Sequence, residues 1–416
     1  MLFLHPDIMN MEYTEHRLEN GIRLIHMWVP NIVAHCGLMI NAGSRDEEDE
    51  QHGMAHFIEH MFFKGTTKRK AYHILSRLED RGGELNAYTT KEETVIHASF
   101  LKEDYSISLE VISDIAFNSI FPEKEIKKEK EVILEEINSY KDTPSELIFD
   151  DFEELVFEGD ALGRNILGSQ VSLKAFSKES IQDFIRANYY TDQMVVCSVG
   201  NISEKRIIYL FEKYFSHIES NTGTRKRLNK NGYKPRSRSI DKGTWQNHCI
   251  IGNIAYNIQD NRRIGMYLLN NVLGGQGLNS RLNLSLREKN GFAYNVESSY
   301  HPYNDTGIFL IYFGTEGYNL ERSTTIALKE LKQLREKALG TIQLSKAKQQ
   351  IKGNLARAYE NHESYMLSMA KSLLVYEKID PPEEIYRKID MISSGELLEI
   401  AGDVFDENKL SRLIYR

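Results

Sequence analysis

Short apolar or alternating runs bounded by Asn, Pro or Gly occupy residues 21–29 and 34–40, and this pattern predicts two strands. Helical spacing follows over about 53–63 and again over about 71–81, where Gly82-Gly83 stops the second helix as a C-terminal cap pair. Residues 84–100 read as a hairpin, with a polar turn at Lys91-Glu92-Glu93 between two alternating arms. Longer helices are predicted over roughly 105–118, 122–140 and 145–157. Pro122 then stands at a helix start and Pro144 just past a helix end, where a missing N–H does least harm.

Between about Asn221 and Lys242 the periodicity breaks. Gly223, Gly232 and Pro235 are interspersed with Arg225, Lys226, Arg227, Lys230, Lys234, Arg236 and Arg238, with no aromatic stacking platform, so the stretch reads as a solvated linker rather than a nucleic-acid patch. Beyond it the plan starts again. Ala34-His35-Cys36 is echoed by Asn247-His248-Cys249, Asn86-Ala87-Tyr88 by Ala293-Tyr294-Asn295, and the apolar run 95–100 by 308–313. The expected organisation is a domain over 1–222, a basic linker over 223–242 and a similar domain over 243–416. The fold class is α+β: two similar halves, each a mostly antiparallel sheet packed with helices. The second half has no counterpart of the paired histidines at 56 and 60, so only the first is expected to carry metal.

A length of 416 residues exceeds one ordinary core and supports that division. The net charge of -8 argues against a nucleic-acid or anionic-membrane binder. Three cysteines, Cys36, Cys197 and Cys249, are far apart and lie in apolar strand-like runs, which marks them as buried reduced hydrophobes. Apolar character at the N-terminus ends after Leu4, and Glu12 and Glu15 follow, unlike a signal peptide or organellar presequence. With no membrane-length apolar run, the expected compartment is the cytoplasm.

On a helical wheel His56, Glu59 and His60 fall within one arc of about 100°, while Met54, Phe57, Ile58, Met61 and Phe62 take the opposite arc. Histidines at i and i+4 can set two imidazole nitrogens on one zinc ion, with the intervening carboxylate over the open coordination position. A catalytic zinc needs a third protein ligand. The helix over 122–140 offers Glu125, Glu129, Glu131, Glu135 and Glu136, of which most belong to a solvated face with Lys124, Lys127, Lys128 and Lys130. Glu129 and Glu136 differ: seven residues place them about 20° apart on one stripe, where two carboxylates repel unless a cation sits nearby.

His56-Phe57-Ile58-Glu59-His60-Met61 resembles the inverted zinc motif of the inverzincins, the group of pitrilysin, insulin-degrading enzyme and the mitochondrial processing peptidases. Glu129-Lys130-Glu131-Val132-Ile133-Leu134-Glu135-Glu136 resembles that family's third-ligand run, with Glu136 standing 76 residues after His60. The resemblance, to a short bacterial-type single-chain member, implies the processing-peptidase-like metallohydrolase fold and one zinc per chain. It makes His56, His60 and Glu136 the ligands, Glu59 the general base, and Glu129 a carboxylate behind a ligand. Gly83, Leu85, Asn86, Ala87 and Tyr88 match the family's edge strand, whose backbone pairs with an extended substrate. Arg287 and Tyr294 match a distal pair that reaches the bound peptide. The implied activity is zinc-dependent endopeptidase or oligopeptidase action on unfolded peptides inside a clamshell. Because both motif sets are present, a homodimer is the expected assembly.

Two other classes are weighed. A catalytically silent scaffold or partner subunit of a heterodimer would have lost Glu59 or a ligand, and none is lost. A small-molecule metallohydrolase would need only one half. His52 is read as a polar residue rather than a fourth ligand, and His26 and His97 as ordinary strand histidines. His35 and His248 have no assigned role.

Overall fold

The computed structural model describes residues 13–225, 227–228 and 232–416. The expectations for Met1 to Leu4 and Glu12, and for the linker cations Lys226 and Lys230, lie outside the described residues. The chain forms two compact units, each discontinuous in sequence: Met1–Ile137, Ile166–Lys226 and Arg357–Pro382 in the first, Asn138–Asn165, Arg227–Ala356 and Glu383–Arg416 in the second.

The first unit holds a six-stranded sheet of β1 (Tyr13–Arg17), β2 (Arg23–Trp28), β3 (Val33–Ile40), β4 (Glu84–Thr89), β5 (Thr94–Leu101) and β6 (Met194–Gly200), in the order β1-β2-β6-β3-β5-β4. Only β2 and β6 run parallel; the other neighbours are antiparallel. Strand alternation sends Leu24, Cys36, Leu38, Ile96 and Val196 to one face, where they meet Phe57, Ile112, Phe184 and Phe211 from four helices. Ile25, Met27, Met39, Val95, Val195, Cys197 and Val199 point to the other face. The helix His362–Tyr376 covers them with Tyr365, Met366, Met369, Ala370 and Leu373. Covered on both faces, β6 is buried at every residue, and this is why its sequence is an unbroken run without charges.

The second unit repeats the plan. Its strands are β7 (Ser237–Ile240), β8 (Asn247–Ala255), β9 (Ala293–Pro302), β10 (Gly307–Thr315) and β11 (Ser411–Tyr415), in the order β7-β11-β8-β10-β9. Again one pair, β7 with β11, is parallel, and the other neighbours are antiparallel. Cys249, Ile251, Phe309 and Phe313 pack on one face with Leu269, Leu331 and Ile400. On the other face Ile250, Ile308, Leu310 and Leu413 are covered by Ile148, Phe152 and Leu155 of the helix Pro144–Val156.

Laid side by side, β3, β5, β4, β6 and β2 correspond in order and direction to β8, β10, β9, β11 and β7. The echoed His-Cys pairs therefore occupy equivalent central strands. Each histidine takes a partner on the next strand, His35 Nδ1 on Ser99 Oγ at 2.8 Å and His248 Nδ1 on the Tyr312 hydroxyl at 2.9 Å. All three cysteines are free and buried. No helix among the described residues is long and apolar enough to cross a membrane.

Candidate metal centre

The helix Met54–Met61 buries Met54, Ala55, Phe57, Ile58 and Met61 in the first unit's core, and this fixes its rotation about its own axis. Its start is built with care. Gly53 has φ +92°, and a Cβ there would stand 2.7 Å from Gly168 Cα, so both backbone conformation and close approach require glycine. The buried Glu47 carboxylate accepts from the Gly53 and Ala55 N–H groups at 2.8 Å each, satisfying donors that the first turn leaves unpaired. With the apolar arc held down, His56, Glu59 and His60 share the remaining face.

The helix Glu123–Lys141 presents a buried stripe of Ile126, Glu129, Ile133 and Ile137, in which Glu129 is the polar member at 4% exposure. Glu136, one residue before Ile137, turns partly outward. His56 Nε2 lies 3.9 Å from Glu136 Oε1 and His60 Nε2 lies 3.7 Å from Glu136 Oε2. Each of the three residues offers one ligating atom within 4.8 Å of the others, and they form the group able to hold a metal ion among the described residues. These contacts are too long for hydrogen bonds. Two ligands roughly 2.0–2.1 Å from one zinc at a tetrahedral angle stand about 3.4 Å apart, so these two separations are already close to what that ion requires, and the set would draw in further around it.

The electrostatics agree with ligation. Burial, and then the neighbouring His60, push the His56 pKa down to about 3 against the pull of Glu129, so its imidazole is neutral and able to donate a lone pair. His60 Nδ1 meets Glu129 Oε1 at 2.8 Å, which leaves Nε2 for the metal side. Burial acts to raise the Glu129 pKa, but hydrogen bonds from His60 and Lys64 outweigh it and hold the carboxyl below its usual range. Glu59, half-buried beside Thr89, has its pKa raised chiefly by burial, with Thr89 and His60 opposing and Glu136 adding to the rise. A carboxylate displaced in that direction is a better proton acceptor at neutral pH.

Of the other residues singled out in the sequence, Leu85, Asn86, Ala87 and Tyr88 lie on β4, which among the described residues pairs with β5 alone and ends the sheet; Gly83 immediately precedes it. Arg287 and Tyr294 belong to the second unit, on the short π-helical turn Asn283–Glu288 and on β9. The Arg287 guanidinium carbon sits 5.1 Å from the Tyr294 ring centroid, and that ring is largely exposed. His52 is outside the metal group. His26 and His97 are strand histidines, hydrogen-bonded to Ser198 and to Glu363 respectively. Sequence reasoning passed over Glu47, Lys64 and Thr89. A carboxylate shortly before a helix start, and a cation four residues beyond the second histidine, were the available signs.

Residues 29–170 match the family described as Insulinase (Peptidase family M16), and residues 175–351 match the Peptidase M16 inactive domain. The chain belongs to peptidase family M16. It is 33% identical over 397 residues to an uncharacterized zinc protease of Bacillus subtilis, YmxG, covering 95% of this chain and 96% of that one. It is 27% identical over 400 residues to the mitochondrial-processing peptidase subunit beta of Saccharomyces cerevisiae, covering 92% and 86%. A protease from Helicobacter pylori has the same fold, with a TM-score of 0.91 at 18% identity over 98% of this chain and 100% of that one. The metal group falls within the match to the first domain. Arg287 and Tyr294 fall within the match to the domain described as inactive.

Proposed function

We propose that this M16 chain is a zinc-dependent endopeptidase or oligopeptidase that hydrolyses unfolded peptides, with one zinc per chain held by His56, His60 and Glu136. The observation that carries this reading is the convergence of three ligating atoms within 4.8 Å on the face that also bears Glu59. One carboxylate with two neutral imidazoles is a donor set suited to zinc rather than to calcium or magnesium, and three protein ligands leave a position open. Zinc bound there supplies Lewis acidity for the scissile carbonyl and lowers the pKa of an attacking water to about 7.

The remaining roles belong to side chains and backbone. Glu59 takes the water's proton and returns it to the leaving amine. Glu129 accepts from His60 Nδ1 and so keeps Nε2 turned towards the metal. The open edge of β4, with Gly83 before it and Leu85 to Tyr88 along it, offers backbone groups to an extended peptide. Arg287 and Tyr294 hydrogen-bond the substrate carbonyl or the oxyanion that develops from it. Their mutual stacking and exposure support that assignment. Homodimeric assembly as a clamshell and a cytoplasmic location complete the reading. Likeness to a processing-peptidase subunit supports a second one, in which the chain is the partner subunit of an unlike chain.

The test is hydrolysis of an unstructured peptide by purified protein and by Glu59→Gln, with zinc content and molar mass measured on the same samples. The expected result is cleavage by the parent, about one zinc per chain in both, a mass of two chains, and a loss of at least about a thousandfold in kcat for the variant, about 4 kcal/mol of transition-state stabilisation. A parent that holds zinc but cleaves only when an unlike chain is added favours the second reading. A parent that takes up no zinc overturns both the metal and the base assignments.

A further inference from the structure

The two histidines of the metal group are supported unequally. His56 Nδ1 is buried and has no protein partner, whereas His60 Nδ1 meets Glu129 Oε1 at 2.8 Å. The other oxygen of the same carboxylate, Oε2, is 2.7 Å from Lys64 Nζ. Glu129 is thus gripped at both oxygens in an otherwise apolar stripe between Ile126 and Ile133, where a buried oxygen left without a partner would be costly. Lys64 is four residues beyond His60, past the end of the helix, so the ligand and the cation that braces its support come from one short stretch of chain. The Lys64 side chain is about a quarter exposed and the Glu129 side chain is 5% exposed.

We propose that Lys64 is a positioning residue of the metal centre: by holding the buried Glu129 carboxylate in place, it fixes His60 with Nε2 towards the metal and sets the affinity of the site for zinc. This rests on the zinc reading above. Lys64 touches neither substrate nor metal in this scheme; its influence passes through Glu129. The cation also moderates the charge of the centre. Zinc with the carboxylates of Glu136, Glu129 and Glu59 would sum to a net negative charge, and Lys64 returns the cluster to neutrality. Loss of Lys64 leaves Glu129 Oε2 without this partner, so the carboxylate is free to rotate towards water, and that weakens the bond that orients His60.

The test is zinc affinity by competition with a chromophoric chelator, for the parent, Lys64→Met, Lys64→Arg, Glu129→Gln and the double variant Lys64→Met/Glu129→Gln. The expected result is a Kd about tenfold weaker for Lys64→Met and within about threefold of the parent for Lys64→Arg, since arginine keeps the charge. The double variant should be no weaker than Glu129→Gln alone, because the one amide oxygen of glutamine cannot accept from both His60 and Lys64, so the brace is already lost in the single variant. A merely structural lysine would instead lower the unfolding midpoint of the metal-free protein and leave the Kd unchanged. Where the methionine variant does not fold, Lys64→Gln carries the same cycle. A parent-like Kd for Lys64→Met, or losses that multiply in the double variant, would overturn the proposal while leaving the zinc reading intact. A parent that binds no zinc overturns both.

Discussion

Glu47 accepts from two backbone donors at the start of the helix that carries His56, Glu59 and His60. Removing that carboxylate leaves the Gly53 and Ala55 N–H groups buried without acceptors. Glu47→Ala is therefore expected to destabilise the protein by about 2–4 kcal/mol, read as a shift in the urea midpoint at unchanged slope. Glu47→Gln, which keeps one acceptor oxygen, should recover part of the loss. A midpoint within error of the parent for Glu47→Ala would show that the helix start does not depend on this cap. Glu47 was not legible in the sequence for a physical reason: five residues, three of them a 3-10 turn, separate it from Gly53, and no periodicity links a cap to its helix over that distance. His56, Glu59 and His60 were legible because they lie on one regular helix, where spacing alone fixes direction. Among the glutamates of the helix Glu123–Lys141, wheel geometry narrowed the field to Glu129 and Glu136 and went no further. What separates them in the structure is depth: Glu129 is buried behind His60, and Glu136 faces both imidazoles.

Elements were legible where their own pattern sufficed. The hairpin of β4 and β5, the helix after Pro122 and the repeat of the His-Cys strand all stand where alternation, capping and echo put them, with ends agreeing to within two residues. The destination of a helix was not. Helix His362–Tyr376 shows an apolar surface in sequence, but nothing local tells which sheet it covers, and it packs on a sheet built from residues more than 150 positions earlier. Met366 is fully buried there, so Met366→Ala should cost about 2–5 kcal/mol. The loss belongs to the first unit. In native-state hydrogen exchange, amides of β2, β3 and β6 should exchange faster, with β8, β10 and β11 little changed. Phe152→Ala, in the helix Pro144–Val156, should give the opposite pattern. If Met366→Ala loosens β8 and β10 first, the assignment of that helix to the first sheet is wrong.

At the scale of the whole molecule, these two helices determine what a minimal folding unit can be. A chain cut after Lys226 keeps all six strands of the first sheet and the whole metal group, and would pass for a complete catalytic half in sequence. It would lack residues 357–382. Ile25, Met27, Met39, Val95, Val195, Cys197 and Val199 would then face water as one contiguous apolar surface on a central part of the sheet. Patches of that kind drive association in otherwise soluble proteins. The expected outcome is that residues 1–226 expressed alone are aggregated or bind a hydrophobic dye strongly, whereas the full chain does neither. Joining residues 357–382 to that fragment through a flexible linker should cover this face and lower dye binding, since an intramolecular helix docks at high effective concentration, with the residual dye signal coming from Ile148, Phe152 and Leu155, which lose their own sheet. The linked fragment should also take up zinc, because every proposed ligand lies before residue 137. A soluble, dye-silent 1–226 fragment would mean that the sheet closes its second face without the helix. The metal-bearing segment would then be autonomous in sequence as well as in chemistry.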